Sequence, residues 1–209
     1  MSRVKDLRTP PGRAGRMRLR HSLDVARRGA DLLDQKLRIL RARHETLLAA
    51  EETARDAWHE RLREAETWLR RGLLLGGDEA LEAPAPVHPA EIHIVRTSTM
   101  GVRHPEKATC VLPQREPDTP APANTALVHA ESAYAEAVRA AADHAVARAA
   151  AREVGAEVLR TRQRVRALQR HWIPRLEDAL ARADTALEQS EHEDAVRRRW
   201  AARAPDDRG

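Results

Sequence analysis

Large aromatic side chains are nearly missing from this chain. Phe is absent, and four Trp with one Tyr make up 2% of the 209 residues. A compact domain draws much of its buried area from aromatics, so their scarcity argues against the one or two globular domains that length alone allows. The single cysteine, Cys110, excludes an intramolecular disulfide framework. No apolar run exceeds a few residues, Leu73–Leu75 being typical, which is far short of a membrane span. No apolar segment follows the basic start, as a secretory signal would need. A cytoplasmic protein without a membrane span is expected.

Familiar catalytic patterns are missing as well. Gly12 with Gly15 and Gly76-Gly77 are the only glycine clusters, and neither leads into Gly-Lys-Ser/Thr, so no phosphate-cradling loop is expected. There is no Gly-x-Ser-x-Gly elbow and no His-Glu-x-x-His helix. The spacings of His88, His93, His104 and Cys110 fit no common zinc motif. They read as polar loop and strand side chains, with Cys110 a small buried hydrophobe. Paired carboxylates such as Glu51-Glu52, or Glu191 with Glu193-Asp194, fall on polar helical stretches. General acid–base work needs converging carboxyls in a pocket, which such stretches do not offer. No catalytic, cofactor-binding or metal residue is assigned, and the chain reads as a non-enzyme.

What is present is Ala, Leu, Glu and Arg, with 33% of all residues charged, a mixture typical of long helices when the apolar residues are periodic. Proline divides the chain. None lies between Pro11 and Pro84, eight fall from Pro84 to Pro122, and only Pro174 interrupts the stretch from there to Pro205. Because proline removes a donor and clashes inside helices, two helical arms are expected around a non-helical middle.

In the first arm Leu19, Leu23, Ala26, Ala30, Leu33, Leu37, Leu40, His44 and Leu47 follow alternating steps of four and three. That is a coiled-coil seam over about four heptads. Ala54, Trp58, Leu62, Ala65 and Leu69 continue it after Glu51, and the two successive steps of four at 54–58–62 form a stutter that locally unwinds a supercoil. About sixty residues of helix would reach roughly 90 Å, and Gly76-Gly77 supplies a stop. The second arm starts at Asn124, a good N-cap. Its first half is rich in Ala, whose small side chain lets a partner helix approach. Val158, Thr161, Val165, Leu168 and Trp172 form its seam, resumed by Leu176, Ala179, Ala183, Ala186 and Ser190. The step from Trp172 to Leu176 is a second stutter with Pro174 inside it, and a bend is expected there. Each arm needs a partner, and folding back on one another supplies it within one chain.

In the middle, Glu91–Arg96 and Thr109–Leu112 are β-rich runs around Met100-Gly101-Val102, which predicts a small hairpin. The expected fold is all-α: a long antiparallel two-helix coiled coil with this insertion. Its segments are a basic tail (1–12), an N-terminal coiled-coil helix (13–78), Pro-rich linkers with the hairpin (79–123), a C-terminal coiled-coil helix (124–203) and a disordered tail (204–209).

The charge is unevenly placed. Residues 1–20 carry Arg3, Lys5, Arg8, Arg13, Arg16, Arg18 and Arg20 against Asp6, or +6, whereas the whole chain is +5. Such a run suits an acidic partner, whether nucleic acid, membrane surface or protein cavity, or a solvated tail. Arg160, Arg162, Arg164, Arg166 and Arg170 crowd the second arm, but helical geometry spreads them around the axis. Nucleic-acid binding favours a one-sided stripe with exposed aromatics, so it is not expected.

Two segments at opposite ends resemble one family. Thr161-Arg162-Gln163-Arg164-Val165-Arg166-Ala167-Leu168, with Ile173-Pro174-Arg175-Leu176-Glu177, is similar to the C-terminal signature of the D subunit of V/A-type rotary ATPases. That signature reads Thr-Arg-Arg-Arg-Val-Asn-Ala-Leu-Glu and then Ile-Pro-Arg-Leu-Glu. Gln163, Arg166 and Gln169 depart from it. Leu23 through Ala26-Arg27-Arg28-Gly29 and Leu32-Leu33 to Lys36 resembles the family's opening helix, and Met100-Gly101-Val102 with Pro105 its central hairpin.

The resemblance implies a central stalk: a rotor shaft passing torque between a proton-moving membrane ring and a catalytic head that makes or hydrolyses ATP. Its terminal helices would enter the head of catalytic and regulatory subunits. The hairpin end would face the small F subunit of the stalk and the membrane-ring adaptor, on the cytoplasmic side and peripheral to the membrane. Candidate partner contacts are Arg162, Arg164, Arg16, Arg20, Met100 and Gly101; Leu33, Leu37, Val165, Leu168, Trp172 and Pro174 mark the seam and its kink. A coiled-coil scaffold or export-apparatus stalk protein is the alternative, needing only the seam.

Overall fold

A computed structural model describes residues 12–81, 89–113 and 121–202. The basic residues Arg3, Lys5 and Arg8, the histidine His88, most of both Pro-rich linkers and the C-terminal tail lie outside the described residues. The elements in order are α1 (Arg13–Gly76), a short 3₁₀ turn (Asp78–Leu81), β1 (Glu91–Thr99), β2 (Val102–Val111), α2 (Thr125–Ala167), a π-helical turn (Leu168–Trp172) and α3 (Ile173–Ala201). The fold is an antiparallel pairing of two long helical arms with a two-stranded hairpin between them in sequence. The chain divides into two units, one holding both ends (1–36 with 161–209) and one holding the middle (37–160).

In the terminal unit, Leu19, Leu23 and Ala26 of α1 are buried against Leu176 and Ala179 of α3, with Ile173, Leu180 and Ala183 packed beside them. Each fully covered leucine contributes about 1.5–3 kcal/mol of hydrophobic stabilisation. Arg13 pairs with Glu191, Arg16 with Asp184 and Arg27 with Glu177, so one arm ascends as the other descends.

In this unit the second arm departs from the heptad pattern. Pro174 has no N–H to give the carbonyl four residues back, and its ring crowds that carbonyl. The backbone widens just before it, and the Ile173 N–H bonds to the Leu168 carbonyl, five residues away. A π turn adds one residue to the repeat. Ile173 consequently packs on the core, while Trp172, expected in the seam, stands 40% exposed. Farther along, Ala186 and Ser190 are exposed as well.

In the middle unit, Leu40 and Leu47 of α1 meet Ala150, Ala151 and Val154 of α2. At the stutter the Trp58 ring stacks on His144 at 5.4 Å, and beyond it Trp68 meets His129 at 4.7 Å. Asn124 joins the two helix ends. Its Oδ1 accepts from the Leu127 N–H and its Nδ2 donates to the Gly72 carbonyl, both at 3.0 Å, so one side chain caps the start of α2 and the last turns of α1. Gly77, at φ +67°, ends α1, its N–H bonded to the Leu73 carbonyl, an αL cap.

The hairpin lies on α2. Ala108 is buried against Ala142 and Val146 with Cys110 beside it, and Val102 packs on the Leu40–Val154 cluster. Arg96 secures β1 through two bonds to the Glu153 carboxylate, at 2.8 and 3.0 Å. This second neighbour explains the Ala-rich half of the second arm: α2 is covered by α1 on one side and by the hairpin on another, and only small side chains admit both.

Candidate functional site

The ion pairs of the terminal unit sort its many cations. Glu177, Asp184 and Glu191 recur every seven residues along α3, flanking the seam, where coiled coils place their interhelical charges. They engage Arg27, Arg16 and Arg13. Hydrogen bonding to Glu191 and its charge hold the Arg13 guanidinium above its ordinary value. The basic start that reads as one block in the sequence is thus divided. Arg16 is half-buried and tied to Asp184, whereas Arg20 is exposed. The seven-residue spacing of these carboxylates was the signal that could have foretold the division.

Arg162 and Arg164 are exposed on α2, and neither has a carboxylate partner among the described residues. Glu157, the nearest acidic residue before them in sequence, pairs with Arg160 at 3.5 Å. Between the exposed arginines, Thr161 and Val165 are buried. The Thr-Arg-x-Arg-Val pattern therefore alternates function along one turn: Thr161 and Val165 anchor the helix inward, and the two guanidiniums project outward. Leu168 and Pro174 are half-covered.

In the middle unit, Leu37 is buried, and Met100 and Gly101 form the two-residue turn of the hairpin. Their φ angles are +51° and +80°, the combination that matches the twist of paired strands. Gly101 adopts it freely, but Met100 does so at a cost, since side-chain-bearing residues there crowd their own backbone. Met100 is 45% exposed, so the strain is not repaid by burial in this chain.

His104, read from the sequence as a polar strand or loop residue, is fully buried. Its Nδ1 lies 3.0 Å from the Pro105 carbonyl and its Nε2 3.0 Å from the Thr99 hydroxyl. A carbonyl only accepts, so Nδ1 carries a proton, and in the neutral ring Nε2 accepts from Thr99. His93 is exposed, 3.7 Å from Glu91. Among the described residues no three His, Cys, Asp or Glu side chains are grouped to hold a metal ion, and no helix is long and apolar enough to cross a membrane.

Two antiparallel helical arms, a docked hairpin and outward arginines over an anchored Thr-Arg-x-Arg-Val turn define a protein of paired long helices with a β insertion. The chain belongs to the ATP synthase D-subunit family, whose sequence profile matches residues 16–203. It is similar to the D subunit of the V-type ATP synthase of Anaeromyxobacter sp. (strain Fw109-5), with 31% identity over 209 residues and 95% of each chain covered.

Proposed function

We propose that this chain is the central stalk of a V/A-type rotary ATP synthase, a non-catalytic shaft that carries torque between a proton-translocating membrane ring and the ATP-handling head. Family membership across residues 16–203 supports this most directly. In this reading the unit holding both chain ends enters the head, where exposed Arg162, Arg164 and Arg20 meet its acidic surfaces and Arg16 does so beside its bond to Asp184. Met100 and Gly101 present the hairpin turn to the small F subunit of the stalk or to the membrane-ring adaptor. The complex sits on the cytoplasmic face of the membrane, and this chain is peripheral to it.

A shaft works only if each angle favours a different state in each surrounding catalytic site, which requires an asymmetric surface. The π turn at Leu168–Trp172 before Pro174 supplies a local irregularity in the arm assigned to the head. It leaves Trp172 partly exposed on the same arm as Arg162 and Arg164.

The test is purification of the tagged chain from membranes of the native host in mild detergent. Head subunits, a small stalk partner and a ring adaptor should come with it. In the recovered complex, Arg162→Ala with Arg164→Ala should lower ATP-driven proton uptake into vesicles more than it lowers ATP hydrolysis. Recovery of the tagged chain alone, or with a client of another kind, would sink the shaft reading and bring the scaffold alternative forward.

A further inference from the structure

The middle unit contains a cleft of about 580 Å³ where the tip of the hairpin meets α2. Arg103 enters it from β2, and Arg152, Glu153, Glu157 and Arg160 enter it from α2. Val102, Ala149 and Ala156 also line it, leaving the floor small and apolar. Three guanidiniums thus face two carboxylates, and both carboxylates are engaged. Glu153 holds Arg96, and Glu157, only 16% exposed, pairs with Arg160. Arg103 and Arg152 have no carboxylate partner among the described residues. Two unneutralised like charges lining one cleft repel each other.

We propose that this cleft docks an acidic segment of a partner protein, with Asp or Glu side chains held between Arg103 and Arg152. Guanidinium forks match carboxylates in geometry and charge, and the alanine floor admits the backbone or methylene groups of an incoming peptide. The lining is less suited to a nucleotide. It offers no helix N-terminus or glycine-rich backbone to cradle phosphate, and no aromatic ring on which a base would stack. The proposal stands whether or not the chain is a rotor shaft, since it rests on this cleft alone.

The experiment is fluorescence anisotropy of a labelled peptide of alternating Glu and Ala, titrated with the full chain at physiological ionic strength. Arg103→Glu with Arg152→Glu should weaken binding by about tenfold or more, as loss of charge-assisted bonds does. Arg18→Glu with Arg41→Glu, an equal change of charge at two exposed positions outside the cleft, should change it by less than about twofold. Arg103→Gln with Arg152→Gln should weaken binding in the same direction, and circular dichroism should show each variant folded. An equal loss in both Glu pairs would reduce the effect to net-charge attraction and overturn the proposal. So would absence of binding to the unaltered chain, or displacement of the peptide by inorganic pyrophosphate at lower concentration than by unlabelled peptide.

Discussion

The imidazole of His44 occupies the space that a side chain at Gly155 would need. A β-carbon at Gly155 would lie 2.6 Å from His44 Nε2, so the one polar position in the first-arm seam is accommodated by a missing side chain on the facing helix. Replacing a helical glycine by alanine normally gains about 1 kcal/mol. Here Gly155→Ala should lose that gain or reverse it, because the ring must turn out of its packing. In a His44→Ala background the same substitution should recover the full gain. Chemical denaturation of the four variants measures the coupling, and additive effects would show that the two residues do not contact.

Thr99 is the partner that keeps His104 satisfied within the hairpin. Thr99→Val preserves shape and removes the hydroxyl, leaving a buried nitrogen without a donor, at about 1–3 kcal/mol. Thr99→Ser should retain most of the bond. Hydrogen exchange of the amides from 91 to 111 is the suitable readout, since the hairpin can open without unfolding the helices. Unchanged protection in Thr99→Val would mean that the bond does not hold the hairpin.

Asn124 is expected to be costly to replace because it serves two helix ends. Asn124→Ala removes the cap of α2 and the donor to Gly72 together, and should cost about 1–2 kcal/mol or more. Asn124→Asp keeps an acceptor for the Leu127 N–H but has no N–H for the Gly72 carbonyl, so it should fall between the two. Equal melting temperatures for Asn124→Asp and the unaltered chain would leave the bond to Gly72 without energetic weight.

Met100 holds a left-handed conformation that Asn or Gly adopts more cheaply. Met100→Asn should therefore stabilise the hairpin within the full chain by about 1 kcal/mol, read as slower exchange at its turn amides. If Met100 is kept for contact with a stalk or adaptor subunit, the same variant should co-purify with less of that subunit. Stabilisation without loss of any partner would assign the methionine no role in assembly.

The apolar residues of the first arm made its pairing legible in the sequence. Seven of the nine seam positions from Leu19 to Leu47 are buried, and Leu33 and His44 are half-buried, because an uninterrupted α-helix keeps heptad spacing in phase with its face. The N-cap at Asn124 and the stop at Gly76-Gly77 were legible for a similar reason: each acts on its own few residues. The bond from Asn124 to Gly72 was not, since it joins positions 52 apart in sequence. Nor was the docking of the hairpin on α2, where the β-rich runs foretold strands but not what would cover them. The candidate arginines were visible as a set, and only the ion pairs separate Arg16 from Arg20.

The heptad pattern and the π turn make opposite forecasts at two neighbouring residues. A regular helix places Trp172 in the seam, four residues after Leu168, and leaves Ile173 outside. The widened turn before Pro174 brings Ile173 onto the Leu19–Leu23–Leu176 cluster and leaves Trp172 facing outward. Truncating a packed Ile costs about 2–5 kcal/mol when burial is complete, so partly buried Ile173→Ala should cost about 1–2.5 kcal/mol. Trp172→Ala should cost less than full burial would imply, because 40% of the residue is already in water. If Trp172 serves the head of the rotary complex, its replacement should instead lower proton uptake per ATP hydrolysed with little change in melting temperature. A larger stability loss from Trp172→Ala than from Ile173→Ala would mean that the helix runs through this stretch without the extra residue, and that Trp172 belongs to the core.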